Sequence, residues 1–194
     1  METLIQQIIN GLVLGSMYAL VALGYTMVYG IIGLINFAHG EVLMVGALTS
    51  WTIIGLMQEG MPGTPGWLIL LIAMLIACVV AAILNYTIEK IAYRPLRNSP
   101  KLAPLITAIG VSLLLQNVGQ RVFGANPRSF PSIFPVHQFH FGGIVLSSSQ
   151  ILVFVVALVL LFLLRHIVLH TRIGTAMRAL SFNPTAASLV GINN

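Results

Sequence analysis

The sequence predicts an all-α bundle of about five membrane-spanning helices, and three observations carry that prediction. Of the 194 residues, 58% are hydrophobic and only 7% are charged, whereas a soluble domain carries about 25% charged residues. The apolar residues gather into runs of about 20, the length a helix needs to cross a bilayer. The nine Lys and Arg residues fall mainly in short segments between those runs. A soluble core of this size cannot absorb so many apolar side chains, so a bilayer must.

Taken in order, Leu4 to Met57 is nearly uncharged, with Glu41 the exception, and is long enough for two spans. Gly30, Gly33 and Gly40 surround polar Asn36 and His39, so the break is expected there, as a turn or as a broken helix around residues 30–41. Within the first span Gly11, Gly15, Ala19 and Ala22 recur at helical spacing, and Gly11 and Gly15 form the GxxxG pair that lets helix backbones approach closely in lipid. The stripe reads as a packing face.

The third span is expected from about Trp67 to Ile88. It holds eleven Leu, Ile and Val residues before Asn85, each favouring insertion by about 0.3–0.6 kcal/mol. The fourth is expected from about Leu102 to Val118 and the fifth from about Val145 to Leu164. Ser147, Ser148 and Ser149 offer N-cap candidates for the last of these.

Basic residues orient such a bundle. Lys90, Arg94, Arg97 and Lys101 follow the third span, and Arg165, Arg172 and Arg178 follow the fifth, so both segments should face the cytoplasm. The segment Gln58 to Gly66 has no Lys or Arg, and Gly119 to Leu146 has only Arg121 and Arg128. Both should lie outside. Five spans in this register put the N-terminus outside and the C-terminus inside; a re-entrant turn at 30–40 would flip the N-terminal side. The net charge of +5 therefore reads as a topology signal, and no nucleic-acid partner is expected. The beginning Met1-Glu2-Thr3 lacks the basic n-region of a cleaved signal peptide, so the first apolar segment is expected to remain as a span. Cys78 is the single cysteine and has no metal-ligand spacing around it.

The most informative stretch is Asn36-Phe37-Ala38-His39-Gly40-Glu41. A charge at the bilayer centre costs about 2.5–3.5 kcal/mol on insertion scales. Such a group normally faces protein or a water-filled cavity, and broken helices at membrane depth often mark transport sites. The chemistry leaves two readings open. Either Asn36, His39, Gly40 and Glu41 lie on a translocation pathway, or Glu41 is a solvated first-turn residue, favoured at a helix N-terminus.

The run Gly24-Tyr25-Thr26-Met27-Val28-Tyr29-Gly30-Ile31-Ile32, followed by Ile35 to Glu41, resembles the N-terminal signature of the high-affinity branched-chain amino acid permeases, membrane subunits of binding-protein-dependent ABC importers. Ala92-Tyr93-Arg94-Pro95-Leu96-Arg97 is similar to their first cytoplasmic loop. Leu105-Ile106-Thr107-Ala108-Ile109-Gly110 and Leu115-Gln116-Asn117 resemble the next span. Gly174, Arg178-Ala179, Ala187-Ser188-Leu189 and Gly191-Ile192-Asn193 resemble the cytoplasmic coupling segment.

The resemblance implies a multi-pass permease of the bacterial inner membrane that translocates leucine, isoleucine and valine. It implies a second permease subunit, two cytoplasmic ATPase subunits and a periplasmic substrate-binding protein as partners. The coupling residues would be Arg178, Ala187, Gly191 and Asn193, within a segment spanning 171–194. There Asn183 can cap a short helix starting at Pro184 and ended by Gly191; a frayed tail is the plainer alternative. Family members often carry an acidic residue around Ser181 to Asn183, and this chain has none. Chains of this family usually continue with several more spans, so residues 1–194 are expected to form the N-terminal part of a longer permease domain.

No Gly-Lys pair occurs, hence no P-loop, so the chain is expected to be no enzyme, with ATP hydrolysed on partner chains and no cofactor held. No HExxH motif occurs. His137 with His140, and His166 with His170, have helical spacing but no nearby Cys, Asp or Glu, so structural roles are expected and no metal site. Two rival functions remain. A urea or short-chain amide ABC permease would share much of the N-terminal signature. A passive small-solute channel is suggested by Asn126-Pro127-Arg128 and Asn183-Pro184-Thr185, but neither lies within an apolar span.

Overall fold

The computed structural model describes residues 2–33, 36–96, 99–100, 102–131, 133, 137–141 and 144–192. Met1, Ile35, Arg97, Lys101 and Asn193, all used in reading the sequence, lie outside the described residues. The elements run α1 (Glu2–Ile32), α2 (His39–Gly60), α3 (Gly66–Ile88), α4 (Leu102–Phe123), β1 (Gln138–Phe141), β2 (Ile144–Ser147), α5 (Ser148–His170), α6 (Arg172–Phe182) and α7 (Pro184–Leu189). Among the described residues, five helices are long and apolar enough to cross a membrane: α1, α2, α3 with its extension, α4 and α5. Their bounds follow the sequence reading. The exceptions are α4, which runs five residues past the expected end at 118, and α5, which starts at Ser148 instead of the expected Val145, because Val145 pairs within β2, and runs six residues past 164.

The chain divides into two compact units. One comprises Met1–Gly33 with Val136–Asn194, the other Leu34–Pro135.

In the first unit α1 packs along α5, and residues Ile9, Leu12 and Val13 share an apolar groove with Leu146, Gln150, Ile151 and Phe154. The two helices therefore run in the same direction, as the basic-residue pattern requires of two spans that both enter from outside. The groove is topped by a polar clasp. Gln6 donates from Nε2 to Val145 O at 3.0 Å and accepts at Oε1 from Val145 N at 2.9 Å, filling the place of a neighbouring strand. Gln150 Nε2 donates to Asn10 Oδ1 at 3.1 Å, while its Oε1 accepts from Ser147 N at 3.0 Å. Ser147 is thus the residue at which α5 starts. The β1–β2 hairpin pairs Gln138 with Ser147 and Phe141 with Ile144. Its base is closed by Ser148 N donating to His137 O at 2.9 Å. Nothing in the sequence reading anticipated this hairpin. The stripe on α1 finds no neighbour: a Cβ added at Gly11 or Gly15 would meet nothing within 4 Å among the described residues.

In the second unit α2 and α3 form an antiparallel pair. Its core is Ile54 against Ile69 and Ala73, with Ile53, Met57 and Ile133 packed around it. The segment following α4 returns to α2: Trp51 Nε1 donates to Ser129 O at 3.0 Å, and the Arg128 guanidinium sits 4.7 Å from the Trp51 ring centre. The helix of α3 does not stop at Ile88. It widens into a π-helical turn over Glu89–Tyr93 and tightens into a 3-10 turn over Arg94–Leu96, where Pro95 removes a backbone donor. The continuous run of 31 residues is about 46 Å long, against a hydrocarbon core of about 30 Å. It therefore overshoots the bilayer and carries Lys90 and Arg94 past its edge.

Candidate translocation site and coupling segment

The polar stretch forms the entrance to α2. Helix α1 ends as Gly33 turns left-handed, φ +69°, with its N–H on Tyr29 O at 2.8 Å; only glycine takes this conformation without steric cost. The helix break therefore falls at Gly33 to Ala38, and Gly40, expected to loosen the helix, lies within the first turn of α2.

Asn36 is 7% exposed. Its Oδ1 accepts from Ala38 N at 3.0 Å and from the Tyr93 hydroxyl at 2.7 Å. Its backbone carbonyl accepts from His39 N at 3.1 Å. One side chain thus supplies the turn that starts α2 and fastens it to the π-helical turn of the α3 extension. Such turns recur at functional sites.

Glu41 faces α4. Its Oε1 accepts from Gln116 Nε2 at 2.7 Å. Ser112, one turn earlier on the same face of α4, bears on the same carboxylate. The second oxygen, Oε2, is buried and has no partner of hydrogen-bonding geometry among the described residues. Gln116 lies about 21 Å along α4 from its start and about 10 Å from its end, so the carboxylate meets α4 well inside the span. His39 is partly buried in the same first turn of α2. The structure thus separates the four residues picked from the sequence: Asn36 belongs to a latch with Tyr93, and Glu41 to a pair with Gln116. Tyr93 and Gln116 entered the sequence reading only as parts of family-like runs, because their partners lie 57 and 75 residues away.

Residues 171–194, the candidate coupling segment, lie in the other unit, with α1 and α5. Asn183 Oδ1 accepts from Ala186 N at 3.1 Å and caps α7, with Pro184 as its first residue. Gly191, φ +86°, ends it, and Ile192 N returns to Ala187 O at 3.1 Å. The short helix foreseen between Asn183 and Gly191 is therefore present, over Pro184–Leu189. Arg178 reaches back toward α5, donating to Leu169 O at 3.4 Å and to Thr175 Oγ1 at 3.5 Å. Ala187 is buried beneath α7. What the segment presents outward is Phe182, Leu189 and Val190, at 90, 83 and 77% exposure; reading the sequence did not single these out.

His166 and His170 stack with ring centres 5.3 Å apart, and no group of three or more His, Cys, Asp or Glu that could hold a metal occurs among the described residues.

Residues 7–194 match the family model described as branched-chain amino acid transport system, permease component. The chain is 43% identical over 196 residues to the high-affinity branched-chain amino acid transport system permease protein BraD of Pseudomonas aeruginosa, covering 98% of this chain and 63% of that relative. It is 42% identical to the corresponding permease protein LivH of Escherichia coli, covering 97% of this chain and 62% of the relative. The LivH protein of Salmonella typhimurium is 41% identical, with 97 and 62% covered. The chain thus spans somewhat under two thirds of the length of these relatives. No solved structure matches it. On the family match and these identities, the chain belongs to the permease components of branched-chain amino acid transport systems.

Proposed function

We propose that this chain is the permease subunit, or the greater part of it, of an ATP-driven importer of leucine, isoleucine and valine in the bacterial inner membrane. Two cytoplasmic ATPases, a second permease subunit and a periplasmic binding protein complete the importer. Asn36, His39, Gly40 and Glu41 lie on or beside the pathway, and residues 171–194 couple it to the ATPases. The similarity to branched-chain amino acid permease proteins supports the substrate.

The structural observation that carries the reading is the Glu41 carboxylate. Gln116 holds one oxygen and Ser112 bears on the same group, while Oε2 has no hydrogen-bond partner among the described residues. A carboxylate away from water is costly unless a cation or several donors satisfy it. The α-ammonium group of an amino acid supplies that complement; neutral urea and simple amides supply a weaker one. The exposed Phe182, Leu189 and Val190 support a protein partner at the end of α6 and α7.

The test is uptake of labelled leucine in cells with and without the gene, with ATP depletion and with unlabelled valine, isoleucine and urea as competitors. ATP-dependent uptake that requires the gene and is competed by valine and isoleucine supports the reading. Competition by urea alone would instead assign a urea or amide permease, and gene-dependent flux that survives ATP depletion would assign a passive channel.

A further inference from the structure

Among the described glycines compared, the tightest backbone approach lies at the corner between α5 and α6. A Cβ built on Gly174 would stand 2.2 Å from Val168 O and 2.3 Å from Ile167 O, more than 1 Å inside ordinary contact at 3.4 Å. Both obstacles are backbone carbonyls of the last turns of α5, so no side-chain rotation relieves them. Gly174 is buried, and any larger residue must push α6 away from α5.

The same corner is latched by Thr171, the single residue between the two helices. Its hydroxyl donates to Ile167 O and accepts from Gly174 N at 3.1 Å, and its carbonyl accepts from Thr175 N at 3.0 Å and from Thr175 Oγ1 at 3.1 Å. Arg178 adds the bond to Leu169 O across the corner. Thr171 and Arg178 thus tie α6 to the end of α5, and α6 also packs against α1. The first N–H groups of a helix and the last carbonyls of another lack intrahelical partners. Here the one Thr171 hydroxyl serves both sides, accepting from Gly174 N of α6 and donating to Ile167 O of α5.

We propose that the α5–α6 corner is a rigid elbow, with Gly174 and Thr171 as its positioning residues. It makes the α6–α7 segment and the α5–α1 pair move as one body, so that displacement imposed at α7 is delivered undiminished to the membrane-spanning helices. The inference rests on the importer reading for the source of that displacement. The elbow itself rests on the geometry alone.

Two measurements on the complete importer test it. The first counts leucine transported per ATP hydrolysed in Gly174→Ala, Thr171→Val and Thr171→Ser complexes, normalised to assembled complex. Thr171→Val keeps the shape and removes the hydroxyl; Thr171→Ser restores it. The elbow predicts a fall of about tenfold in Gly174→Ala and a smaller fall in Thr171→Val, within the range that single substitutions change coupling. ATP hydrolysis persists, and Thr171→Ser stays near wild type. A fold defect alone would lower transport and hydrolysis together.

The second measures the distance between spin labels at Val159→Cys on α5 and Ser181→Cys on α6, both exposed positions, in a Cys78→Ser background. The elbow predicts one narrow distance, unchanged between nucleotide-free and ATP-bound complexes, and broadened or shifted by Gly174→Ala or Thr171→Val. A distance that changes with nucleotide, or that both substitutions leave unaltered, overturns the elbow. Wild-type complexes that take up no leucine would overturn the importer reading separately, because the label distances decide the elbow without any transport substrate.

Discussion

The Asn36–Tyr93 latch gives a quantitative prediction. Tyr93→Phe deletes the hydroxyl that donates to Asn36 Oδ1 at 2.7 Å and leaves the ring in place. One side-chain hydrogen bond is worth about 0.5–1.5 kcal/mol net, so the permease should lose about 1 kcal/mol of stability. Asn36→Ala removes the acceptor for both Tyr93 and Ala38 N. It strands two donors at a site where Asn36 is 7% exposed, each costing about 1–3 kcal/mol, for a total of about 2–6 kcal/mol. In the double variant the Tyr93 hydroxyl is no longer there to be stranded. The combined cost should therefore fall short of the sum by about 1 kcal/mol, well above the roughly 0.3–0.5 kcal/mol within which independent sites add. The assay is SDS-titrated unfolding of the purified permease, run as a double-mutant cycle. Additive losses would refute the latch. Transport adds a second check: if Asn36 works through the latch, Tyr93→Phe and Asn36→Ala should impair uptake in the same way, by lowering its maximal rate. A rise in leucine KM confined to Asn36→Ala would show that Asn36 touches substrate instead.

Three further outcomes are expected. Glu41→Gln keeps an acceptor for Gln116 but removes the charge, and should raise the leucine KM about tenfold, the factor for about 1.4 kcal/mol; an unchanged KM would detach Glu41 from the substrate. Gln6→Leu removes both bonds to Val145 and should cost about 1–3 kcal/mol. Amide exchange at Val145 should quicken while residues of α2 keep their protection, and unchanged protection at Val145 would show that the hairpin is held by other contacts. Gly119→Ala meets only the flexible end of Met44, 2.8 Å from Cε, so its loss in the same SDS titration should stay under about 1 kcal/mol. That is less than the 1–3 kcal/mol or more of overpacking expected for Gly174→Ala, and the reverse order would contradict the contrast between side-chain and backbone obstacles.

The spans were legible in the sequence because membrane insertion is a property of local composition. Twenty apolar residues suffice to define α3 or α5 whatever surrounds them. The short helix α7 was legible for the same reason: Asn183, Pro184 and Gly191 are neighbours that cap and end it by their own backbone and side-chain preferences. What the sequence hid depends on partners far along the chain. The β1–β2 hairpin is only four residues a side and is held by Gln6, 139 residues from Val145, so no local pattern announces it. The π-helical turn shares its composition with the helix it extends. Asn36 and Glu41 were singled out from the sequence as polar residues in an apolar run, but their different partners, Tyr93 and Gln116, are not legible there. Gly174 stood out only as part of a family-like run, and nothing in that run shows that two carbonyls occupy the space beside it.

The most direct test of the central claim is accumulation of labelled leucine by proteoliposomes that hold the complete importer with its binding protein, with ATP supplied to the ATPase side and the membrane potential collapsed. The account predicts uptake against a gradient that requires ATP, is competed by isoleucine and valine but not by urea, and weakens in Glu41→Gln. Leucine flux that only equilibrates, or that proceeds equally without ATP, would contradict it.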